Sequence, residues 1–248
     1  MIRSFYIAST AMLTQANKLD VLTNNLTNAD TTGYKKDKLI SRSFADMLID
    51  RLNDPVGSKS KAVGPQNLGI HIDEITTDFS QGGFEETARL SDLALEGTGF
   101  FVIETPEGDR YTRDGSFYVD RQGYLTNSDG YYVSGTNGHI FVGNTDFVID
   151  SEGNVVVNGQ ITNKLELVTF DNLTGLRKQK DNLYSTTQAA RTADNVLVKQ
   201  GWLETSNVDT AEELVNMMEI TRSFGINQRV LTMLDQSLEK TVNEVGRI

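Results

Sequence analysis

The side chains that most often carry catalysis or bind metals are few in this chain and stand apart. It has two histidines, His71 and His139, and no cysteine. Neither histidine has a second metal-ligand residue at helical spacing, and a lone histidine near a strand is usually structural. The carboxylates Asp73, Glu74 and Asp78 follow His71, but spacing alone does not make them a site, and a solvated acidic edge is the better interpretation. We therefore expect no metal and no cofactor.

Two glycine-containing segments share only their composition with known ligand-binding loops. Residues 97–99 lack the third glycine of a dinucleotide-binding loop and do not open a predicted helix. Residues 150–154 lack the spacing of acidic ligands and the final glutamate of an EF-hand. The sequence also has no Walker motif and no convergent pair of carboxylates suited to glycoside hydrolysis. It predicts a protein that is not an enzyme and has no small-molecule substrate.

The charge of the chain argues against nucleic acid as a partner. The formal net charge is −11, and it is unevenly spread, with +3 over residues 1–61 and −14 over residues 62–248. This split fits either a solvated acidic domain with a polar tail or subunits that stack through opposite charges. No segment approaches the roughly 20 apolar residues that cross a membrane. The first residues do not form a cleavable Sec-type signal peptide, so we expect a cytoplasmic chain or export without cleavage.

The first 35 residues carry a helical pattern that ends in an asparagine-rich turn. Apolar residues spaced three and four apart form a heptad seam, interrupted by the polar Gln15. The seam fades where asparagines favour turns, and Gly33 suits a left-handed helix cap. The seam residues are Phe5, Ala8, Met12, Leu19, Leu22 and Leu26, and the turn residues are Asn24, Asn25, Asn28, Thr32, Gly33 and Tyr34.

The last 43 residues, 206–248, carry a second and longer helical pattern. Thr210 and Glu213 fit a capping box, so we expect the helix to begin near Thr210 and to run to about Gly246. Its apolar seam consists of Leu214, Met217, Phe224, Leu231, Leu234, Leu238, Val242 and Val245. A helix this long needs a partner for its apolar stripe, and the N-terminal seam is the obvious candidate. The alternative is that both helices pack onto the middle domain.

The middle of the chain has the pattern of an all-β domain over residues 68–205. Runs of apolar and β-branched residues alternate with glycine-centred turns. Residues 147–149 and 155–157 flank an acidic turn and predict a hairpin. Residues 36–67 are rich in Gly, Pro, Ser and Lys and predict a linker or mobile loop. The fold class we expect is a mainly β domain, a partly open barrel or sandwich, flanked by terminal helices that pair as a coiled coil.

Three segments resemble the flagellar rod and hook axial family. Residues 19–35 resemble its N-terminal signature, an asparagine-rich helix end followed by Thr-x-Gly-aromatic-Lys. Residues 95–130, with Thr112-Arg113-Asp114-Gly115-Ser116-Phe117, are similar to the shared β-domain core. Residues 200–218, with Glu204-Thr205-Ser206-Asn207-Val208, look like the C-terminal signature of the distal rod type. Thr27 and Asp30 stand where the family more often has Ala and Asn.

The resemblance implies a structural subunit of the bacterial flagellar basal body. It further implies helical polymerisation through paired terminal helices, with the β domains outside, to form the drive shaft between motor and hook. The implied partners are other copies of the chain, neighbouring rod and hook proteins, and the flagellar type III export apparatus. The proximal rod paralogue is the alternative within the family. A secreted β-domain adhesin or binding module is the alternative outside it.

Overall fold

The chain folds into two units, each built from segments that are far apart in sequence. The computed structural model describes residues 2–51, 61–143, 146–193 and 195–245. Unit 1 comprises Met1–Leu26, Asp37–Thr76 and Thr210–Ile248, and unit 2 comprises Thr27–Lys36 and Thr77–Asp209. Among the described residues, no helix is both apolar enough and long enough to cross a membrane.

Unit 1 contains the two long helices that the apolar spacing predicts. Helix α1 is Ile2–Thr27 and helix α2 is Thr210–Val245. At 1.5 Å per residue, α2 is about 54 Å long and α1 about 39 Å. Helix α1 gives way to a turn in which the amide of Thr31 donates to the carbonyl of Asn28 at 3.1 Å. The prediction of one helix at each end of the chain, with α2 beginning at Thr210, is confirmed.

Between the helices, the described residues of unit 1 form four strands. Strand β1 (Asp37–Ser43) pairs with β4 (Ile70–Thr77), and β2 (Met47–Arg51) pairs antiparallel with β3 (Lys61–Gln66). The register of the β2–β3 pair places Met47 opposite Gln66. Two-stranded ladders as short as these are only marginally stable by themselves, and α1 belongs to the same unit.

The range 36–67, expected as a linker or mobile loop, therefore holds three of these strands. Composition could not show them, because strand pairing uses main-chain groups that every residue except proline has in full. Pro65 lies within β3, which is tolerated because each strand of a two-stranded ladder has one unpaired edge. Of the residues on which the expectation of mobility rested, Gly64 and Pro65 lie in β3, whereas Pro55, Gly57 and Lys59 lie outside the described residues.

Unit 2 is built mainly of short strands, and its sheets are not closed. The mainly β fold predicted for the centre of the chain is confirmed. The strands are β5 (Phe84–Glu86), β6 (Leu93–Glu96), β7 (Phe100–Thr105), β8 (Gly108–Thr112), β9 (Tyr118–Val119), β10 (Leu125–Thr126), β11 (Tyr132–Gly135), β12 (Gly138–His139), β13 (Phe147–Ile149), β14 (Asn154–Val157), β15 (Gln160–Lys164), β16 (Leu167–Thr169), β17 (Arg177–Lys178), β18 (Leu183–Ser185), β19 (Arg191–Thr192), β20 (Leu197–Gln200) and β21 (Trp202–Glu204).

Strand β7 is the centre of unit 2. It pairs with β8 along one side and with β16 and then β11 along the other. Phe101 and Ile103 point into the main apolar core, whereas Phe100 and Val102 point into a second apolar cluster around Tyr184. Burial on both faces explains why this strand is a continuous apolar run and does not alternate with polar residues.

Three hairpins of unit 2 share one turn design. Asp120, Asn127 and Asp150 each accept, through the side chain, the amide hydrogens of the residues two and four positions later. The third residue after each is a glycine with φ of 82–90°. A side chain disfavours this left-handed conformation, so glycine is required there. The hairpin predicted around residues 150–154 is one of the three, joining β13 to β14.

The end of unit 2 pairs with its beginning. Strand β20 pairs antiparallel with β6, and β21 pairs antiparallel with β5. The partners in β6 include Leu93 and Leu95, which are fully buried in the main core. Residues close to the C-terminal helix are therefore needed to complete the sheet that begins unit 2.

Candidate functional site

The two terminal helices of unit 1 contact each other through a polar bridge. The side-chain amide of Gln15 donates to Ser223 Oγ at 2.7 Å, and Asn227 Nδ2 donates to Gln15 Oε1 at 3.1 Å. The first helix turns of α1 and the later part of α2 line one common cavity, through Phe5, Tyr6, Ser9, Leu231, Thr232 and Asp235. Residues of α1 with lower residue numbers thus contact residues of α2 with higher residue numbers, so the two helices run antiparallel.

The predicted seam residues are mostly half-buried in the single chain. In α1 this holds for Phe5, Met12, Leu19, Leu22 and Leu26, and Ala8 is buried. In α2 it holds for Met217, Phe224, Leu231, Leu234 and Leu238. Leu214 and Val242 are 46% and 68% exposed, and the side chain of Val245 lies outside the described part of the chain.

Helix α2 carries a second apolar face, which sequence inspection did not identify. We call it the outer face; its members are 41–66% exposed and comprise Val215, Met218, Ile226, Val230 and Met233. At 100° per residue, Met233 lies about 160° around the helix from the seam residue Leu231. The outer face therefore points away from α1. Its members are three, eight, four and three residues apart, a helical spacing that the sequence displays but that the stronger heptad of the seam obscured.

The asparagine-rich end of α1 is held by the side chain of Asn25, whose amide makes the pair of hydrogen bonds that a neighbouring strand residue would make. Asn25 is 1% exposed, and its amide group donates to the carbonyl of Asp37 while its oxygen accepts the Asp37 amide, both at 2.9 Å. Asn25 thus joins the end of α1 to the start of β1. Asn28 accepts a hydrogen bond from Thr31 Oγ1 at 3.3 Å within the following turn, and Asn24 is exposed.

The remaining residues of the predicted signature turn lie in unit 2. Gly33 has φ of +63°, and a Cβ on it would lie 2.4 Å from the carbonyl carbon and oxygen of Arg113. Thr32 Oγ1 donates to Asp114 Oδ1 at 2.6 Å. Tyr34 is buried, and the Lys178 ammonium lies 3.5 Å from the centroid of its ring. Glycine is required at position 33 because the turn presses directly on the backbone at Arg113 and Asp114.

A buried group of three charges adjoins this turn, and we call it the charged junction: Lys35, Arg113 and Glu204. The Lys35 ammonium lies 2.5 Å from Glu204 Oε1, and Arg113 Nη1 lies 3.3 Å from Glu204 Oε2. The three side chains are 0%, 4% and 1% exposed, respectively. Two cations therefore share one buried carboxylate, which also accepts the amide of Gly82 at 3.0 Å.

Backbone carbonyls also accept hydrogen bonds from both cations. Lys35 Nζ donates to the carbonyl of Ser80 at 2.8 Å, and Arg113 Nη2 donates to that of Gly97 at 2.5 Å. Burial lowers the pKa of the Lys35 ammonium and of the Arg113 guanidinium, while the carboxylate of Glu204 acts to raise both. Glu204 is thus the group that keeps the two cations charged in the interior.

Asn207 ties the same segments together through neutral hydrogen bonds. Its side-chain oxygen accepts the amide of Lys36 at 2.8 Å, and its Nδ2 donates to the carbonyl of Asp78 at 2.8 Å. The amide of Gly33 also donates to the carbonyl of Glu204 at 2.7 Å. Asn207 and the charged junction therefore join three segments that are distant in sequence, around residues 33–36, 78–82 and 204–207.

The three motif segments singled out in the sequence meet at this point. Lys35 ends the first motif, Arg113 lies in the second and Glu204 in the third. The sequence reasoning noted these motifs but did not select the three charges as site residues. The sequence did contain a signal for this site. Arg113 and Glu204 each lie in a β-rich segment, where a charged side chain that becomes buried needs a partner of opposite charge.

Comparison with known proteins shows matches along nearly the whole chain. "Flagella basal body rod protein" matches residues 5–35, "Flagellar hook protein FlgE/F/G D1 domain" residues 94–157, and "Flagellar basal body rod FlgEFG protein C-terminal" residues 199–244. The flagellar basal-body rod protein FlgG of Buchnera aphidicola subsp. Baizongia pistaciae is 35% identical, over 97% of this chain and 98% of the relative. FlgG of Bacillus subtilis is 34% identical, over 98% and 99%.

The chain belongs to the flagellar basal-body rod protein family. It is of FlgG type, which confirms the resemblance seen in the three motifs. The flagellar basal-body rod protein FlgF of Caulobacter vibrioides is 29% identical over 100% of this chain and 98% of the relative. The protein is a structural subunit of the basal-body rod, and neither the proximal rod paralogue nor a secreted adhesin is favoured. Membership in a structural family also argues for a protein without enzymatic activity.

Proposed function

We propose that this rod protein polymerises with copies of itself through its paired terminal helices. The polymer is a tube that serves as the drive shaft between motor and hook, in the distal part of the rod. The subunits reach it through the flagellum's own export apparatus. A chain without cysteine needs no disulfide formation after such a passage. Neighbouring rod and hook proteins contact the two ends of the polymer.

The observation that carries this proposal is the outer face of α2. Within one chain, α1 covers the seam side of α2 but leaves the outer face exposed. Tyr6 and Leu13 of α1 are also 50% and 64% exposed. A helix that is apolar on two opposite sides needs a partner on each side. In a head-to-tail polymer, the second partner is the helix pair of a neighbouring copy.

The energy available from covering the outer face is substantial. Full burial of one aliphatic side chain stabilises by about 1.5–3 kcal/mol. The five outer-face residues are already about half-covered, so each contributes about 1 kcal/mol when a neighbour covers it. The five residues together contribute about 5 kcal/mol, which offsets the lower end of the roughly 4–15 kcal/mol cost of immobilising a subunit.

The proposal is tested by placing aspartate on each side of α2 in the full-length protein. Leu231→Asp puts the charge in the seam, and Met233→Asp puts it on the outer face. Both variants should abolish the formation of rods in electron micrographs, because a charge buried at an apolar contact costs several kcal/mol unless it is paired. Gln228→Asp adds the same charge at an exposed polar position of α2 and should assemble normally.

The thermal unfolding of unit 2, followed by the fluorescence of the single tryptophan Trp202, provides the second measurement. It should be nearly unchanged in all three variants, because none of the substituted residues belongs to unit 2. Rods of normal yield from Met233→Asp would remove the outer face from the proposed interface. If Leu231→Asp also lowered the unfolding temperature of unit 2, α2 would be part of that unit's core.

A further inference from the structure

All six methionines of this chain lie in unit 1, and half of them are in α2. Met218 and Met233 belong to the outer face and are 53% and 66% exposed. Met12 and Met217 belong to the seam and are half-buried. The thioether sulfurs of the outer face are therefore open to solvent in the single chain, whereas those of the seam are partly covered.

An exposed methionine reacts directly with hydrogen peroxide. The sulfur lone pair attacks one peroxide oxygen, so that an S–O bond forms as the O–O bond breaks. A proton moves to the departing oxygen, and water leaves. The sulfur thereby gives two electrons to the peroxide, and a flexible apolar side chain becomes a polar sulfoxide. Cysteine, the other sulfur-containing target of peroxide, is absent from the chain, so this chemistry is directed at the methionines.

The surroundings of Met218 show what such a change would do to the outer face. This residue stands in a shallow cavity of about 490 Å³, lined also by Val215, Glu219, Arg222, Ser223 and Ile226. Val215 and Ile226 are 57% and 60% exposed. A neighbouring copy that covers this surface must remove the water from the group at position 218. Removing water from a thioether costs little, whereas a sulfoxide oxygen buried without a hydrogen bond is as unfavourable as any unpaired polar group.

We propose that Met218 and Met233 form a redox-sensitive site, at which oxidation by hydrogen peroxide stops the subunit from polymerising. The proposal rests on the proposed function, because it requires that a neighbouring copy covers the outer face. Only the unassembled subunit is sensitive, since the neighbour that covers the outer face also shields both sulfurs. The change is reversible, because methionine sulfoxide reductases remove the oxygen as water while two thiols are oxidised to a disulfide.

The chain supplies reference residues for both methionines of the site. Met217 is next to Met218 in sequence but lies about 100° around the helix, in the seam, so the two differ in exposure and not in chemistry. Met47, in β2, is 57% exposed but lies outside the outer face. It should be oxidised as readily as Met218, without an effect on polymerisation.

The experiment treats the full-length protein with hydrogen peroxide before assembly, stops the reaction with catalase, and locates the sulfoxides by peptide fragmentation in a mass spectrometer. Met218 and Met233 should be oxidised at least about threefold faster than Met217. The yield of rods in electron micrographs should fall at least about tenfold when both are oxidised, and should recover after treatment with the reductases for both sulfoxide epimers and dithiothreitol. The thermal unfolding of unit 2, which has no methionine, should be unchanged.

Two variants assign the effect to the outer face. Met218→Leu combined with Met233→Leu keeps this face apolar but removes its sulfurs. Its yield of rods after peroxide should stay within about twofold of the untreated value. Met47→Leu is the matched control and should lose its rods after peroxide as the parent does. In assembled parent rods, Met218 and Met233 should be oxidised at least about fivefold more slowly than in unassembled subunits.

A normal yield of rods from parent protein that is almost completely oxidised at Met218 and Met233 would overturn the proposal. So would a double leucine variant that is as sensitive to peroxide as the parent, since another residue would then be responsible. If the double variant formed no rods before treatment, the reductases would decide, and a failure to restore rods from the oxidised parent would count against the site. Failure of the proposed function looks different: untreated parent protein would form no rods, or Met233→Asp would form them normally, and both proposals would fall.

Discussion

Replacing Glu204 with glutamine should be among the most damaging single changes to unit 2. The substitution keeps the size of the side chain but removes the one anion that Lys35 and Arg113 share. It also places an NH₂ group against donors, because Lys35, Arg113 and the amide of Gly82 all donate to this carboxylate. Glu204→Gln therefore leaves two buried cations without a counter-charge.

The magnitude follows from the burial of all three side chains. Lys35, Glu204 and Arg113 are 0%, 1% and 4% exposed, so water does not screen the loss. Removing one partner of a buried ion pair costs about 3–5 kcal/mol. That is a large part of the 5–15 kcal/mol that stabilises a typical domain. Lys35→Met should cost less, because it leaves the Arg113–Glu204 pair balanced.

The assay is equilibrium unfolding in urea, followed by the fluorescence of Trp202, which lies two residues before Glu204 in β21. Glu96→Gln is the matched control, because it makes the same change in the exposed pair between Lys199 and Glu96, whose side chains are 39% and 49% exposed. Exposed pairs contribute about 0–1 kcal/mol. The two glutamine variants should therefore differ by at least about 2 kcal/mol in the free energy of unfolding.

A free energy of unfolding for Glu204→Gln within about 1 kcal/mol of that for Glu96→Gln would refute the reasoning. So would additive effects of Lys35→Met and Glu204→Gln in the double variant. Residues in direct contact should couple by about 0.5–3 kcal/mol. Additivity would mean that Lys35 and Glu204 do not depend on each other for their stability in the interior.

Two further predictions concern single turns. Gly33→Ala should cost about 2–4 kcal/mol in urea unfolding, because its Cβ would meet the carbonyl of Arg113. Gly138 also has a left-handed φ but has open space around it, so Gly138→Ala should cost only about 1 kcal/mol. Equal costs would contradict the close contact at Gly33. Burial acts to raise the pKa of Asp150, but hydrogen bonds from Asn154 outweigh it and lower that pKa from its usual 3.8. A lowered carboxyl pKa stabilises the fold above about pH 4 and ceases to do so as the pH falls through the folded-state pKa. Asp150→Asn, which should keep the turn as Asn127 does in its own loop, should be less stable than the parent at pH 7, and the difference should shrink below pH 4; a difference that stays constant to pH 3 would disprove this role.

Local sequence patterns predicted the regular elements of this fold well. The spacing of apolar residues placed α1 and α2, and the capping residues placed the start of α2 at Thr210. The apolar run at residues 100–103 and the turn at 150–154 gave β7 and the β13–β14 hairpin. These features depend on neighbours within about ten residues, so the sequence displays them directly. The strands between residues 37 and 66 were missed, since their pairing partners lie far along the chain.

The sequence by itself determined the family, the helical ends, the β centre and the candidate seam. Only the tertiary structure showed that Lys35, Arg113 and Glu204 share one buried site. It also showed that the Asn25 side chain bonds to the backbone of Asp37 at the start of β1. It also showed that the polar interruption at Gln15 is bonded to Ser223 and Asn227. The physical reason is the same in each case. A buried polar group is tolerated only where its partners are, and those partners come from segments 12 to 212 positions away along the chain.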